Sequence, residues 1–233
     1  SVSGTLGFQF ENTDFSAVGD EAFVPSTSTH HTGLFYVLKA KGNAESDGVI
    51  ELGVRTERVK IDAASTGLSP AGGPMSGPVL GLGVSEGPAA NRSFTPGSVS
   101  LGYTKPLAGL LEQDWAKGWS VGGSLSRVER APSAFELFAD GEHVATDAYE
   151  KGNPSLKEER GRHVELTARW TNKAPEGGGR SRGAHQGAAE FSATAFKSQF
   201  SNYITLIARP NETFNDTPVF DFTAVPADFY GFE

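Results

Sequence analysis

Alternation with a period of two runs through most of the chain, and it limits the fold more than any other feature. From Val2 to Glu11, Val2, Gly4, Leu6, Phe8 and Phe10 fall on one parity, while Ser3, Thr5, Gly7, Gln9 and Glu11 fall on the other. Successive side chains of a strand point to opposite faces, so this pattern marks a strand lying between an apolar and a polar environment. It returns over residues 50–55, 98–104, 119–126, 164–171 and 189–195. Residues 31–40 make a less regular strand, because Leu34, Phe35, Tyr36, Val37 and Leu38 are consecutive. Residues 229–233 begin an eighth strand behind Pro226, a residue suited to a strand's start. No apolar run approaches the roughly 18 residues of a membrane helix. The expectation is an all-β chain of about eight strands.

The connections between these strands alternate in length. Residues 13–29, 63–92, 130–161 and 201–227 make long connections, whereas 41–48 and 105–118 are short and 173–187 is intermediate. A soluble sandwich has no reason to gather its long loops at one end. An outer-membrane barrel does, with short periplasmic turns and long extracellular loops. Tyr103, Trp119 and Trp170 lie near short turns, where a spanning barrel carries an aromatic girdle. The pattern predicts an antiparallel up-and-down transmembrane β-barrel, with a soluble β-sandwich as the alternative. The polar parity then faces a lumen. Its serines and glycines are too small to fill a closed eight-stranded barrel, so these strands are expected to be part of a wider wall. The sequence opens inside a strand, and its eighth strand begins at Phe229 and stops abruptly at Glu233, so an incomplete piece of a barrel is expected.

Composition excludes other classes. Twenty basic against 28 acidic residues offer no basic stripe for nucleic acid. The absence of cysteine removes disulfides and thiolate chemistry. There is no HExxH, GxSxG or P-loop, and GLGVSEG at residues 81–87 has the wrong spacing for a dinucleotide fingerprint. An enzyme is not expected, nor is an intrinsic cofactor.

One insert departs from the strand rhythm. In SAFELFADGEHVATDAYEKGNP, Pro132 precedes Ser133 and Glu136 follows three residues later, a capping box opening a short helix over residues 134–139. Phe135, Leu137 and Phe138 give that helix something to bury, and Gly152-Asn153-Pro154 is turn chemistry. The expectation is an ordered loop folded over the barrel mouth.

RAPSAFELFADGEHVAT and YEKGNPSLKEE, followed by a polar–apolar strand, resemble the late barrel of a TonB-dependent outer-membrane receptor. PVFDFTAVPADFYGFE, GDEAFVPSTST and RSFTPGSVSLGY are similar to the same family. The GxHxAT run, here Gly141, His143, Ala145 and Thr146, resembles its zinc-uptake branch. The resemblance implies a many-stranded bacterial outer-membrane barrel closed around an N-terminal plug. It implies import of a metal ion or metal chelate, driven through the plug by the TonB energy-coupling complex. Zinc is the first ligand expected and a ferric siderophore the second. Residues 1–233 would be one partial barrel domain, without plug or final strands, in contact with outer-membrane lipid. The alternative is a non-transporting barrel with a structural or adhesive role.

Imidazole with carboxylate suits zinc, so His143, Glu142, Asp140, His30 and His31 are the candidate loop ligands. His30 and His31 are adjacent on a strand and point to opposite faces, so at most one joins a given site. The other reading of His143 is a hydrogen bond fixing the loop. His163 and His185 are not expected to be ligands. Glu136, Asp140, Glu142, Asp147, Glu150, Glu158 and Glu159 outweigh Lys151 and Lys157, which either steers cations inward or solvates the loop. On the polar parity, Glu51, Arg55, Glu57, Glu165 and Arg169 are expected to pair within the lumen and brace the wall.

Overall fold

The computed structural model describes residues 1–17, 22–44, 47–64, 68–69, 85–86, 89–109, 111, 113–172 and 189–233. Eight antiparallel strands form its wall: β1 (Val2–Phe15), β2 (Thr27–Lys41), β3 (Val49–Ala63), β7 (Gly97–Pro106), β8 (Trp119–Arg130), β11 (Glu159–Thr171), β12 (Glu190–Phe214) and β13 (Thr217–Phe232). Each pairs with the wall strand next in sequence, as an up-and-down barrel requires. Between β3 and β7 lie β4 (Leu68–Ser69), β5 (Ser85–Glu86) and β6 (Ala90–Phe94), of which β6 extends the pairing with β3. The 131–158 insert contains helix α1 (Ala134–Phe138) and a hairpin of β9 (Asp140–His143) and β10 (Ala148–Lys151). β10 runs parallel to β13, the one departure from antiparallel order among the described residues. Among the described residues the sheet is open, with β1 and β13 unpaired to each other. GLGVSEG falls within the described residues only at Ser85 and Glu86; the connection at 173–187, with His185, lies outside them.

The two parities face two solvents. On β1, Val2, Leu6, Phe8 and Phe10 are 61–72% exposed, as lipid-facing side chains are in a wall taken without its lipid. On β3 the insert packs against Val59 and Ile61, which share the parity of Glu51, Arg55 and Glu57. The polar parity therefore faces the lumen and the apolar parity the bilayer. At the short-turn end Trp119 and Trp170 are direct ladder partners, and Trp119 meets the Phe191 ring edge-on at 6.3 Å, forming one aromatic row. Tyr103 projects outward on neighbouring β7.

Toward the long-loop end, the outward row turns polar after Phe10, Leu34, Val54, Val99, Leu125, Val164 and Ala195 on successive wall strands. These boundary residues are not all ladder partners. Phe8 pairs with Leu34, Tyr36 with Val54, Leu101 with Leu125 and Leu166 with Ala195, while Val54–Val99 and Leu125–Val164 pair directly. The boundary thus slips two residues at four of these six steps, always toward the short-turn end. A level membrane surface cutting tilted strands produces this slip. At about 3.3 Å per residue and 4.8 Å between strands it corresponds to a tilt of roughly 40°, the range of spanning barrels.

One expectation needs correcting. Residues 201–227 are not a loop: β12 and β13 run through them as a long hairpin closed by Asn215 and Asp216. Both turn residues have positive φ (48° and 67°), the backbone of a type I′ hairpin turn, which Asn and Asp tolerate. Pro226 therefore lies inside β13 rather than before it. There the pairing jumps from Phe200–Ala227 to Tyr203–Val225, so Ser201 and Asn202 bulge opposite a residue with no N–H to donate.

A charge on the bilayer parity should cost far more than one on the lumen parity. In the full-length parent folded into phosphatidylcholine vesicles, Leu101→Arg is expected to lose about 2–4 kcal/mol by urea titration, and Ser100→Arg less than half of that.

Candidate functional site

The insert is anchored where it leaves the wall. Arg130 ends β8 and Glu159 begins β11, and the two are ladder partners. The Arg130 guanidinium donates to both Glu136 oxygens at 2.8 and 3.0 Å and to Glu159 Oε2 at 3.0 Å. Burial alone would lower the Arg130 pKa, but its bonds to Glu136 and Glu159 outweigh that and raise it above ordinary arginine. Glu159 also accepts the Ile204 N–H at 2.8 Å, so one buried carboxylate ties β8, β11 and β12 together.

The capping box forms as the sequence predicts. Ser133 Oγ accepts the Glu136 N–H at 3.2 Å, and Glu136 Oε2 accepts the Ser133 N–H at 2.7 Å. Leu137 and Phe138 are fully buried against Val59 and Ile61 of β3, Phe94 of β6 and Ile204 of β12. The chain then returns under the helix: the Gly152 N–H donates to Ala139 O at 2.6 Å and that of Asn153 to Glu136 O at 2.8 Å. A Cβ at Gly152 would lie 2.5 Å from the Phe138 nitrogen, so the turn closes only with glycine. Arg92 Nη2 donates to Leu156 O at 2.8 Å, and the bulged Asn202 side chain donates to Glu158 O and accepts the Arg160 N–H. The lid is fixed to both sides of the mouth.

The β9–β10 hairpin separates the candidate ligands. His143 pairs with Ala148, Glu142 with Tyr149 and Asp140 with Lys151. Alternation puts His143 on one face and Glu142 and Asp140 on the other. His143 Nδ1 lies 2.9 Å from Oε1 of the buried Glu150, which also accepts the Thr146 hydroxyl at 3.0 Å. The imidazole stacks on Phe23, centroids 4.4 Å apart. Asp140 accepts the Tyr149 hydroxyl at 3.0 Å, and Glu142 accepts the Thr217 hydroxyl at 3.4 Å. Burial raises the Asp140 carboxyl above the usual range, against the lowering effects of the Tyr149 bond and Lys151. Burial, then the Asp140 charge, likewise raises the Tyr149 phenol.

The strand histidines part as alternation demands. His30 faces out, with Nδ1 2.6 Å from Asn12 Oδ1. His31 faces the lumen and lines a cavity of about 470 Å³ at the foot of α1, with Thr27, Thr29, Glu57 and Phe135. Among the described residues no three His, Asp or Glu side chains gather as a metal site. Glu150 was expected only as one of the insert's excess acids, and Phe23 was not a sequence candidate. Glu150 follows His143 by seven residues, and only hairpin register makes them neighbours.

The lumen charges pair across strands only in part: Glu51 and Arg169 do, Arg55 meets Glu57 on its own strand, and Glu165 has a hydroxyl and, among the described residues, no cation. Arg55 pairs with Glu57 and donates to Gln9 Oε1 at 2.9 Å across two strands. Glu51 meets Lys39 at 2.7 Å, Arg169 meets Glu190 at 3.4 Å, and Glu165 accepts the Ser124 hydroxyl at 3.2 Å.

A family model described as TonB dependent receptor-like, beta-barrel matches residues 2–233. Among solved structures, the hemophore receptor HasR of Serratia marcescens, a double mutant in complex with its hemophore HasA and heme, is 16% identical. The match covers 99% of this chain and 35% of that one, with a TM-score of 0.61. The copper transporter OprC is also 16% identical over 88% of this chain and 25% of that one, with a TM-score of 0.57. At such identities the likeness is one of fold. The chain spans about a third and a quarter of the length of these two proteins.

Removing the anchoring cation should loosen the lid without melting the wall. In hydrogen exchange on the full-length parent, Arg130→Met leaves Glu159 and Glu136 without their partner. It is expected to cost about 2 kcal/mol, roughly a thirtyfold faster exchange over residues 133–139, with β7 unchanged. Lys117→Ala, in a fully exposed pair with Asp114, should leave lid exchange as it is.

Proposed function

The chain belongs to the TonB-dependent receptor β-barrel family and is part of the wall of a bacterial outer-membrane barrel; from that premise, we propose that its parent protein imports a metal ion or a metal chelate. The observation that carries this reading is the preformed lid, held by Arg130 and a buried core over a lumen cavity that contains His31 and Glu57. A mouth so constructed presents fixed groups to a ligand arriving from outside, rather than a loop that must first be ordered. Uptake is driven by the TonB complex through a plug domain of the same parent.

Zinc is the first ligand. His143 carries a carboxylate on one ring nitrogen, the arrangement that orients metal-binding imidazoles and presents the other nitrogen. The remaining ligands come from the rest of the parent chain or arrive with the metal, since Glu142 and Asp140 lie on the opposite face of the hairpin. A ferric siderophore, which brings its own coordination shell, is the second. Copper in the name of OprC and heme in that of HasR agree with cargo of this kind.

Calorimetry on the full-length parent in detergent tests the order. Micromolar or tighter zinc binding is expected, weakened at least tenfold (~1.4 kcal/mol) by His143→Ala. Zinc binding that ignores His143, or none, would pass the role to ferric chelates. Failure of both would sink metal import and leave the structural or adhesive barrel.

A further inference from the structure

Just above the apolar band, the lipid-facing parity of β8, β11 and β12 carries Arg127, Arg162 and Lys197. Arg127 and Arg162 are direct ladder partners. Lys197 pairs with Val164, the next outward position on Arg162's own strand. Like charges placed opposite one another repel. Arg127 is partly answered by Glu129 at 2.6 Å, and Glu129 is shared with Arg160 at 3.0 Å. Asp228 is the partner of Gln199 and pairs with neither Arg162 nor Lys197. Among the described residues Arg162 and Lys197 make no ion pair. Four cations against two carboxylates leave the patch positive.

Arg127, Arg162 and Lys197 rim a concavity of about 450 Å³, lined also by Ser100, Ser126, His163 and Gln199, whose apolar floor is Val99, Leu101, Leu125 and Val164. All four floor residues belong to the apolar parity, so the groove opens into the bilayer and not into the lumen. Its rim lies at the level where the outward row turns polar on the long-loop side, which is the outer leaflet. A groove with an apolar floor and an unanswered cationic rim at headgroup height is complementary to one kind of occupant. Acyl chains lie along the floor, and a phosphate sits between the guanidinium of Arg162, the ammonium of Lys197 and the flank of Arg127. Guanidinium takes phosphate with two parallel hydrogen bonds, which also removes the repulsion between the facing arginines.

We propose that this groove is a specific binding site for a phosphorylated lipid of the outer leaflet. The site lies on the outside of the wall and does not depend on what the lumen transports.

Native mass spectrometry on the full-length parent released from nanodiscs provides the test. Nanodiscs of phosphatidylcholine alone are compared with nanodiscs doped with lipid A or with dephosphorylated lipid A. Wild type is expected to retain one lipid A under conditions that strip phosphatidylcholine and the dephosphorylated lipid. Arg162→Gln with Lys197→Gln should weaken that retention at least about tenfold, and Arg162→Lys, which keeps the charge but loses the paired hydrogen bonds, should fall between wild type and the double variant. Equal retention of the phosphorylated and dephosphorylated lipids by wild type overturns the proposal without any variant. So does retention indifferent to the double substitution, or displacement of lipid A by equimolar inorganic phosphate, which would reduce the groove to a free-anion site.

Discussion

In hydrocarbon an unpaired backbone amide has no water to turn to, so every N–H and C=O of a spanning segment must find a partner inside the protein. The ladder from β1 to β13 is this chain's answer, and the rest of the structure follows from it. Once neighbouring strands are locked in register, each residue is committed to one face. Val2, Leu6 and Phe8 go to lipid, and Arg55 and Glu57 go to the lumen. The constraint relaxes above the bilayer. There β12 and β13 bulge at Asn202 and again between Ala208 and Thr213, and β10 joins in parallel.

The lid uses the freedom the wall lacks. It begins at a ladder pair, Arg130 and Glu159, and the same guanidinium fixes the first turn of α1 through Glu136. One cation thus couples wall register to lid position. The bulge at Asn202 serves the same end, since it aims the amide at Glu158, the last residue of the insert, and at Arg160, the second of β11. Leu137 and Phe138 then seal the helix onto lumen-facing residues of β3. An apolar patch on an otherwise polar lumen parity is the trace that this covering leaves on the strand.

Legibility followed the distance over which each interaction acts. The capping box spans three residues and was readable from Ser133 and Glu136 alone. The opposed directions of His30 and His31 needed only alternation. The β12–β13 hairpin was obscured because its bulges break parity at Ser201, Asn202 and Pro210, so a strand there carries no period of two. The Asn215-Asp216 turn was the local signal that remained. The pairing of His143 with Glu150 depends on which residues face each other across β9 and β10, and no local pattern sets that.

By itself the sequence determined the strand periodicity, the side of the wall each residue takes, the capped helix and the end at which the long connections lie. These depend on backbone geometry and on transfer between water and hydrocarbon, both of which act residue by residue. Only the tertiary structure decided that Glu142 and Asp140 turn away from His143, that Arg130 clamps two carboxylates, and that Arg127 and Arg162 meet above an apolar groove. Each of these is set by register between strands brought side by side, and register is a property of the assembled sheet.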